Sequence, residues 1–247
     1  MNKALCRHLW KLMFRALLLI AAVFLLFMDR EKLNFVTILQ QGFGGIFLWL
    51  IWAMLVAEML SRIFPNRRIV IGARKHFACS YQAVPHAEIT PQSERAVYKR
   101  LNKGALLSAF VWAIISASIL WGLFLLDMLS PQTLLMILLL YAVVDLVFIG
   151  FFCPFQALFM RNRCCAVCRI YNWDYFMMCA PLVLFPSFYS LSLAALSAMV
   201  VLRWEIALRK NPHFFTSETN ENLRCESCAD RLCRFNVAQR KNASLRQ

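Results

Sequence analysis

Six of the ten cysteines fall into two short groups, Cys164, Cys165 and Cys168, then Cys225, Cys228 and Cys233. Each group contains a Cys-x-x-Cys (Cys165 to Cys168, Cys225 to Cys228), the spacing at which a tight turn brings two thiolates onto one ion. Two such pairs make the four-sulfur tetrahedral set that zinc or iron takes, with Cys164 or Cys233 as substitute ligands. The same thiolates suit a redox protein, through an iron-sulfur centre or a dithiol that cycles with its disulfide. The plainest reading is that each Cys is a small buried hydrophobe, which suits the solitary Cys6, Cys79, Cys153 and Cys179. In a reducing compartment disulfides are disfavoured, and metal is the better account of the two groups.

A second chemistry starts from Asp145, which sits in an apolar run between Val144 and Leu146. An ionised carboxylate at bilayer depth costs at least about 2.5 to 3.5 kcal/mol. Asp145 is therefore either a proton or cation site, as in a small transporter, or one end of a hydrogen bond that ties helices together. Glu58 is a milder case, closer to a helix end and four residues before Arg62, its expected partner. No catalytic set accompanies them. His8, His76, His86 and His213 are scattered, and neither His-Glu-x-x-His, Gly-x-Ser-x-Gly nor a phosphate-binding glycine loop occurs. The glycines at 42, 44 and 45 read as a flexible entrance to a helix.

The elements that hold these residues are membrane helices. The 247 residues are 61% hydrophobic and 16% charged, far from the soluble norm of roughly half and a quarter. Four runs, residues 12–28, 43–64, 105–126 and 133–153, have the roughly 17 to 25 residues that span a 30 Å hydrocarbon layer. The first has a basic front like a signal peptide but no small-x-small cleavage pattern, and is expected to be retained. Trp10, Trp49, Trp112, Trp121 and Trp173 lie mostly toward the ends of such runs and read as interface anchors rather than a site.

The expected fold is an all-α membrane domain, residues 1–202, followed by a short basic tail, 203–247. The net charge of +14 fits the positive-inside rule better than nucleic acid, which is excluded as a partner; the bilayer and its anionic headgroups take that place. Lys and Arg number four at the N-terminal end (Lys3, Arg7, Lys11 and Arg15), two in the first loop, eight in the second and none in the third. That alternation puts the N-terminus and second loop in the cytoplasm. In the second loop, residues 68–81 are expected on the membrane surface and 94–103 as an extension of the third span.

A fifth apolar element, residues 177–202, conflicts with this pattern. It is ample for one crossing and short for two, yet one crossing would strand nine basic tail residues outside. Pro181 and Pro186 disfavour a straight helix, so a re-entrant hairpin competes with a fifth span. A metal site shared by both cysteine groups needs them on one side of the membrane, which favours the hairpin. Just ahead of the element, Asp174 is expected to cap the next helix while Trp173 anchors at headgroup depth.

Two local resemblances accompany these residues. The stretch Cys153-Pro154-Phe155-Gln156-Ala157-Leu158 resembles the cysteine-proline turn of membrane-bound polyferredoxin-type iron-sulfur proteins, which exchange electrons with quinones; that family carries a further Cys where Ile149 stands. Residues 162–174 (Asn162-Arg163-Cys164-Cys165, then Cys168-Arg169-Ile170-Tyr171-Asn172-Trp173-Asp174), with the tail cysteines, resemble uncharacterised bacterial inner-membrane proteins. The first implies redox chemistry; the second implies a bacterial cytoplasmic membrane and no particular activity.

Overall fold

Ser and Thr residues set the starts of three of the long helices. Thr90, Ser130 and Ser187 each accept from the backbone N-H three residues on, all at 3.2 Å, and proline follows the first two, where its missing donor is harmless. A computed structural model describes residues 3–40, 42–65, 72–85, 90–160, 168–224 and 226–228. The α-helices are α1 (Lys3–Met28), α2 (Gly42–Ile63), α3 (Pro91–Leu125), α4 (Pro131–Gly150), α5 (Asp174–Cys179) and α6 (Phe188–Lys210), and no strand occurs among the described residues. A single π-helical turn, Phe155–Met160, follows α4.

Five helices, α1 to α4 and α6, are long and apolar enough to cross a membrane, so the chain reads as an integral membrane protein in contact with lipid. Phe27, Phe43, Leu106, Phe110 and Phe124 point outward from them. The interior is built on α4, which buries Leu134, Leu135, Leu138, Leu139, Ala142 and Leu146. Against it α1 lays a stripe at positions 4, 8, 15, 18 and 22, namely Ala4, His8, Arg15, Leu18 and Ala22. On the other side α2 packs Leu48, Ile51, Leu55 and Met59 toward Tyr189, Leu193 and Val200 of α6. Gly44 allows the entrance of α2 to lie directly on the first loop: a Cβ there would come within 2.9 Å of the Lys32 Cα. Close approach, more than flexibility, explains that glycine.

The fifth apolar element is two elements. α5 continues as a 3₁₀ turn, Ala180–Leu184, and after Pro186 the chain reverses into α6. The start of α5 and the end of α6 lie together, since the Trp173 indole N-H donates to Glu205 (2.9 Å). The reversal lies at the opposite end, where Tyr189 stacks on Phe35 of the first loop at 5.5 Å. The hairpin escapes the length limit expected for residues 177–202 by drawing in flanking residues on both sides. Six α-helical and five 3₁₀ residues rise about 19 Å in total at about 1.5 and 2.0 Å each. α6 then runs on through Arg203 to Lys210, long enough to cross by itself.

At the end of the bundle where α5 begins, the second loop and the tail fold together as a small cap. Ala73, Phe77, Trp204, Leu208, Phe214 and Phe215 share one core with Leu101 of α3. Asn220 donates to the carbonyls of Lys75 and Phe214, both at 2.9 Å, and Glu94 of α3 meets His213 at 2.6 Å. The part of 68–81 that is described is therefore core of the cap, not a surface-lying segment. Residues 203–224 likewise belong to α6 and the cap rather than to a separate tail. The helical extension expected at 94–103 is present, as the first turns of α3. His76 is buried between Trp204 and Phe215, each ring 4.9 Å away. Burial there pushes its imidazole down to about 3.

Candidate functional site

The stripe that packs α1 on α4 carries its own charges inward. Arg15, only 3% exposed, donates to the Ala142 carbonyl at 2.7 Å and to the Tyr175 hydroxyl at 3.3 Å, and is ion-paired with Glu58 of α2. Glu58 also takes Lys11 at 2.8 Å and the Tyr175 hydroxyl at 2.6 Å. One turn further along α2, Arg62 donates to Asp174 (2.7 Å) and Asn172 (2.9 Å) and lies over the Tyr175 ring at 4.3 Å. His8 completes this end of α1, with Nε2 3.0 Å from the Leu146 carbonyl. One network thus joins α1, α2, α4 and the start of α5.

Asp145 is the member with the loosest tie. Among the described residues its nearest cation is Arg15 at 4.0 Å, and its carboxylate makes no hydrogen bond with them. Among the described residues the inner group holds two guanidinium groups, Arg15 and Arg62, and three carboxylates, Glu58, Asp145 and Asp174. Lys11 balances the count only from the rim, where it is 54% exposed. Glu58 and Asp174 each have a close guanidinium, which leaves Asp145 as the most weakly paired carboxylate among the described residues.

Asp145 and Asp174 both line a half-open cavity of about 350 Å³ between α3, α4 and α5. Its other walls are apolar and aromatic, with Trp112, Tyr141, Phe148, Phe155 and Tyr171 among them. Asp174 is 9% exposed. Its Oδ1 serves Arg62 and the Tyr175 N-H, while Oδ2 is buried with no partner.

Several expectations change here. Glu58 is not paired with Arg62 four residues on; each finds its partner on another helix. Asp174 is the first residue of α5 rather than its N-cap, but its Oδ1 does accept from a free N-H at the helix start, that of Tyr175 at 2.9 Å. Trp173 is bonded to Glu205 rather than free as an anchor, and Trp112 is cavity wall. Trp10 and Trp121 are well exposed, as interface residues would be. Arg15 and Tyr175 were not marked out by any motif. The signal available was the spacing of His8, Lys11, Arg15, Leu18 and Ala22, a stripe along one helix face that charge counting assigns to topology.

Comparison with protein-family models, curated proteins and solved structures finds no match. The site stands on its own geometry.

Of the six proposed metal ligands, Cys164, Cys165, Cys225 and Cys233 lie outside the described residues. Among the described residues no group of three metal-ligating side chains converges. Cys168 is buried beside Ala105 and Ile170, and Cys228 lies 3.7 Å from the Lys75 ammonium. The residues next to these contacts meet at one indole: Trp204 donates to the carbonyl of Arg169, which follows Cys168, at 2.6 Å, and His76, which follows Lys75, packs on its ring. Cys153, from the cysteine-proline turn, lines the Asp145 cavity instead.

Proposed function

We propose that this chain is an integral membrane protein that takes up a proton or a single monovalent cation at Asp145, in transport or sensing. The observation that carries the reading is the weakly paired carboxylate: Asp145 faces a cavity, and among the described residues its nearest guanidinium stands off at 4.0 Å. An intramembrane carboxylate held only to lock helices together would be expected to make a closer bond. The excess of Lys and Arg at the cap end supports placing the N-terminus, cap and tail in the cytoplasm of a bacterial inner membrane. The antiparallel α5–α6 hairpin agrees with that layout, since it returns the chain to the cap.

The test is infrared difference spectroscopy of reconstituted protein after a pH jump. A carboxyl band that disappears in Asp145→Asn and persists in Glu58→Gln is the expected result. A spectrum unchanged by Asp145→Asn would remove this reading.

A second reading has its own observation. Cys168 precedes Arg169, whose carbonyl accepts from Trp204, and Cys228 lies 3.7 Å from the ammonium of Lys75, which precedes the His76 packed on the same indole; this supports one thiolate centre, with zinc or iron, shared by Cys165, Cys168, Cys225 and Cys228. Such a centre would pin the tail to the segment after α4, and an iron form would carry electrons. Purified protein with one equivalent of zinc, or coloured and containing iron, supports it; metal-free protein with all six thiols reactive removes it.

A further inference from the structure

We propose that the cavity beside Asp145 binds a protonated amine with an apolar tail, its ammonium shared between Asp145 and the free Oδ2 of Asp174. This rests on the reading of Asp145 as a cation site and names the class of cation.

The cavity walls argue for an organic cation over a metal ion. A small hydrated ion wants several oxygen ligands in a shell, and this cavity offers two carboxylates at one edge of an otherwise apolar and aromatic surface. Trp112, Tyr141, Phe148, Phe155 and Tyr171 present ring surface to a cation or to hydrocarbon. At about 350 Å³ the space falls within the roughly 300 to 1,000 Å³ usual for small-ligand sites.

The charge count sets the valence. Among the described residues three carboxylates face two guanidinium groups, with Lys11 paired to Glu58 only at the exposed rim, so the inner face has room for no more than one added positive charge, beside Asp145. Asp174 Oδ2 sets the kind of nitrogen. It is a buried acceptor without a donor, and an N-H satisfies it where a quaternary ammonium has no hydrogen to offer. The walls come from α3 (Trp112, Ile115), the last turns of α4 (Val144, Phe148) and α5 (Met177), all in apolar helices, so an amphiphile already in the bilayer is suited to enter. The same chemistry has two sources, the headgroup of an aminolipid and a free alkylamine.

The experiment uses the full chain in nanodiscs of phosphatidylcholine and phosphatidylglycerol, photolabelled with a diazirine-bearing decylamine and mapped by peptide mass spectrometry. Label is expected on peptides that contain Trp112, Phe148 or Met177. Decylamine should compete at least about tenfold better than decyltrimethylammonium or decanol, the advantage of a charge-assisted hydrogen bond. If added phosphatidylethanolamine removes the label, the ligand is an aminolipid; if it does not, the ligand is a free amine. Asp174→Asn should weaken competition by a similar factor. Because that change also disturbs Arg62, Ile115→Trp serves as a second variant, filling the cavity without touching the ion pairs. It should abolish labelling and leave the Asp145 infrared band intact. Labelling absent from the cavity, or competed equally by decanol, overturns the proposal. If the Asp145 band is present in that case, only the ligand class has failed; if it is missing too, the cation site has failed with it.

Discussion

The charge network predicts a reversal that few other arrangements would give. Replacing Arg15 with Met removes a guanidinium that is 3% exposed and meets Glu58, Asp145, Tyr175 and the Ala142 carbonyl. Breaking a buried pair by deleting one partner typically costs about 3 to 5 kcal/mol, because the other charge stays buried and uncompensated. Glu58→Met should cost a similar amount by stranding Arg15. Changing both to Met removes both buried charges and refills the space, and such exchanges are often neutral within about a kilocalorie. The double variant should therefore recover most of the loss, a coupling of roughly 3 kcal/mol or more. Lys11→Met, at the exposed end of the same cluster, should cost less than about 1 kcal/mol. Reversible unfolding of the reconstituted protein in mixed micelles measures all four variants. A double variant as unstable as the sum of the two single ones would refute the idea that Arg15 and Glu58 form one unit.

Further predictions address the scaffold. Gly44→Ala should destabilise by about 1 to 3 kcal/mol, because its Cβ falls on the Lys32 backbone; thermal unfolding beside Gly122→Ala, whose Cβ meets nothing within 4 Å, checks this. Trp204→Phe should cost about 1 to 3 kcal/mol by orphaning the Arg169 carbonyl, with protease sensitivity of the cap as readout. The cap should also lose stability in acid. His76 is neutral when folded down to about pH 3, whereas the unfolded chain protonates it near pH 6.5. The stabilisation is thus complete above pH 6.5 and falls between about 6.5 and 3 by about 1.4 kcal/mol per pH unit. Urea midpoints of the cap at pH 7 and pH 5 should differ by that slope, and His76→Phe should remove this contribution.

The spans were legible because lipid rewards the length and composition that hydropathy measures, so runs around 43–64 and 133–153 needed no partner to be recognised. Helix starts at Thr90, Ser130 and Ser187 carry equally local signals. The hairpin was harder. Counting 26 apolar residues from 177 to 202 treats them as one straight helix bounded by polarity, whereas the chain uses a stretched 3₁₀ turn and carries α6 through charged residues to Lys210. The ion pairs were invisible for another reason. Lys11 and Arg15 satisfy the positive-inside pattern whether they face headgroups or a buried Glu58, and only packing on α4 decides which. Asp145 was identifiable by its cost in the membrane, but the pairing of Asp174 with Arg62 depends on a contact across more than a hundred residues of sequence.

The central claim is that Asp145 is the carboxylate left open for a proton or cation while Glu58 and Asp174 are held by guanidinium groups. An apolar carbodiimide reacts with membrane carboxyls that take up a proton and can be reached from the bilayer. Treatment of the protein in native membranes, followed by peptide mass spectrometry, should place the adduct on Asp145 and spare Glu58, with the label reduced by decylamine. An unmodified Asp145, or equal modification of Glu58, would contradict the account.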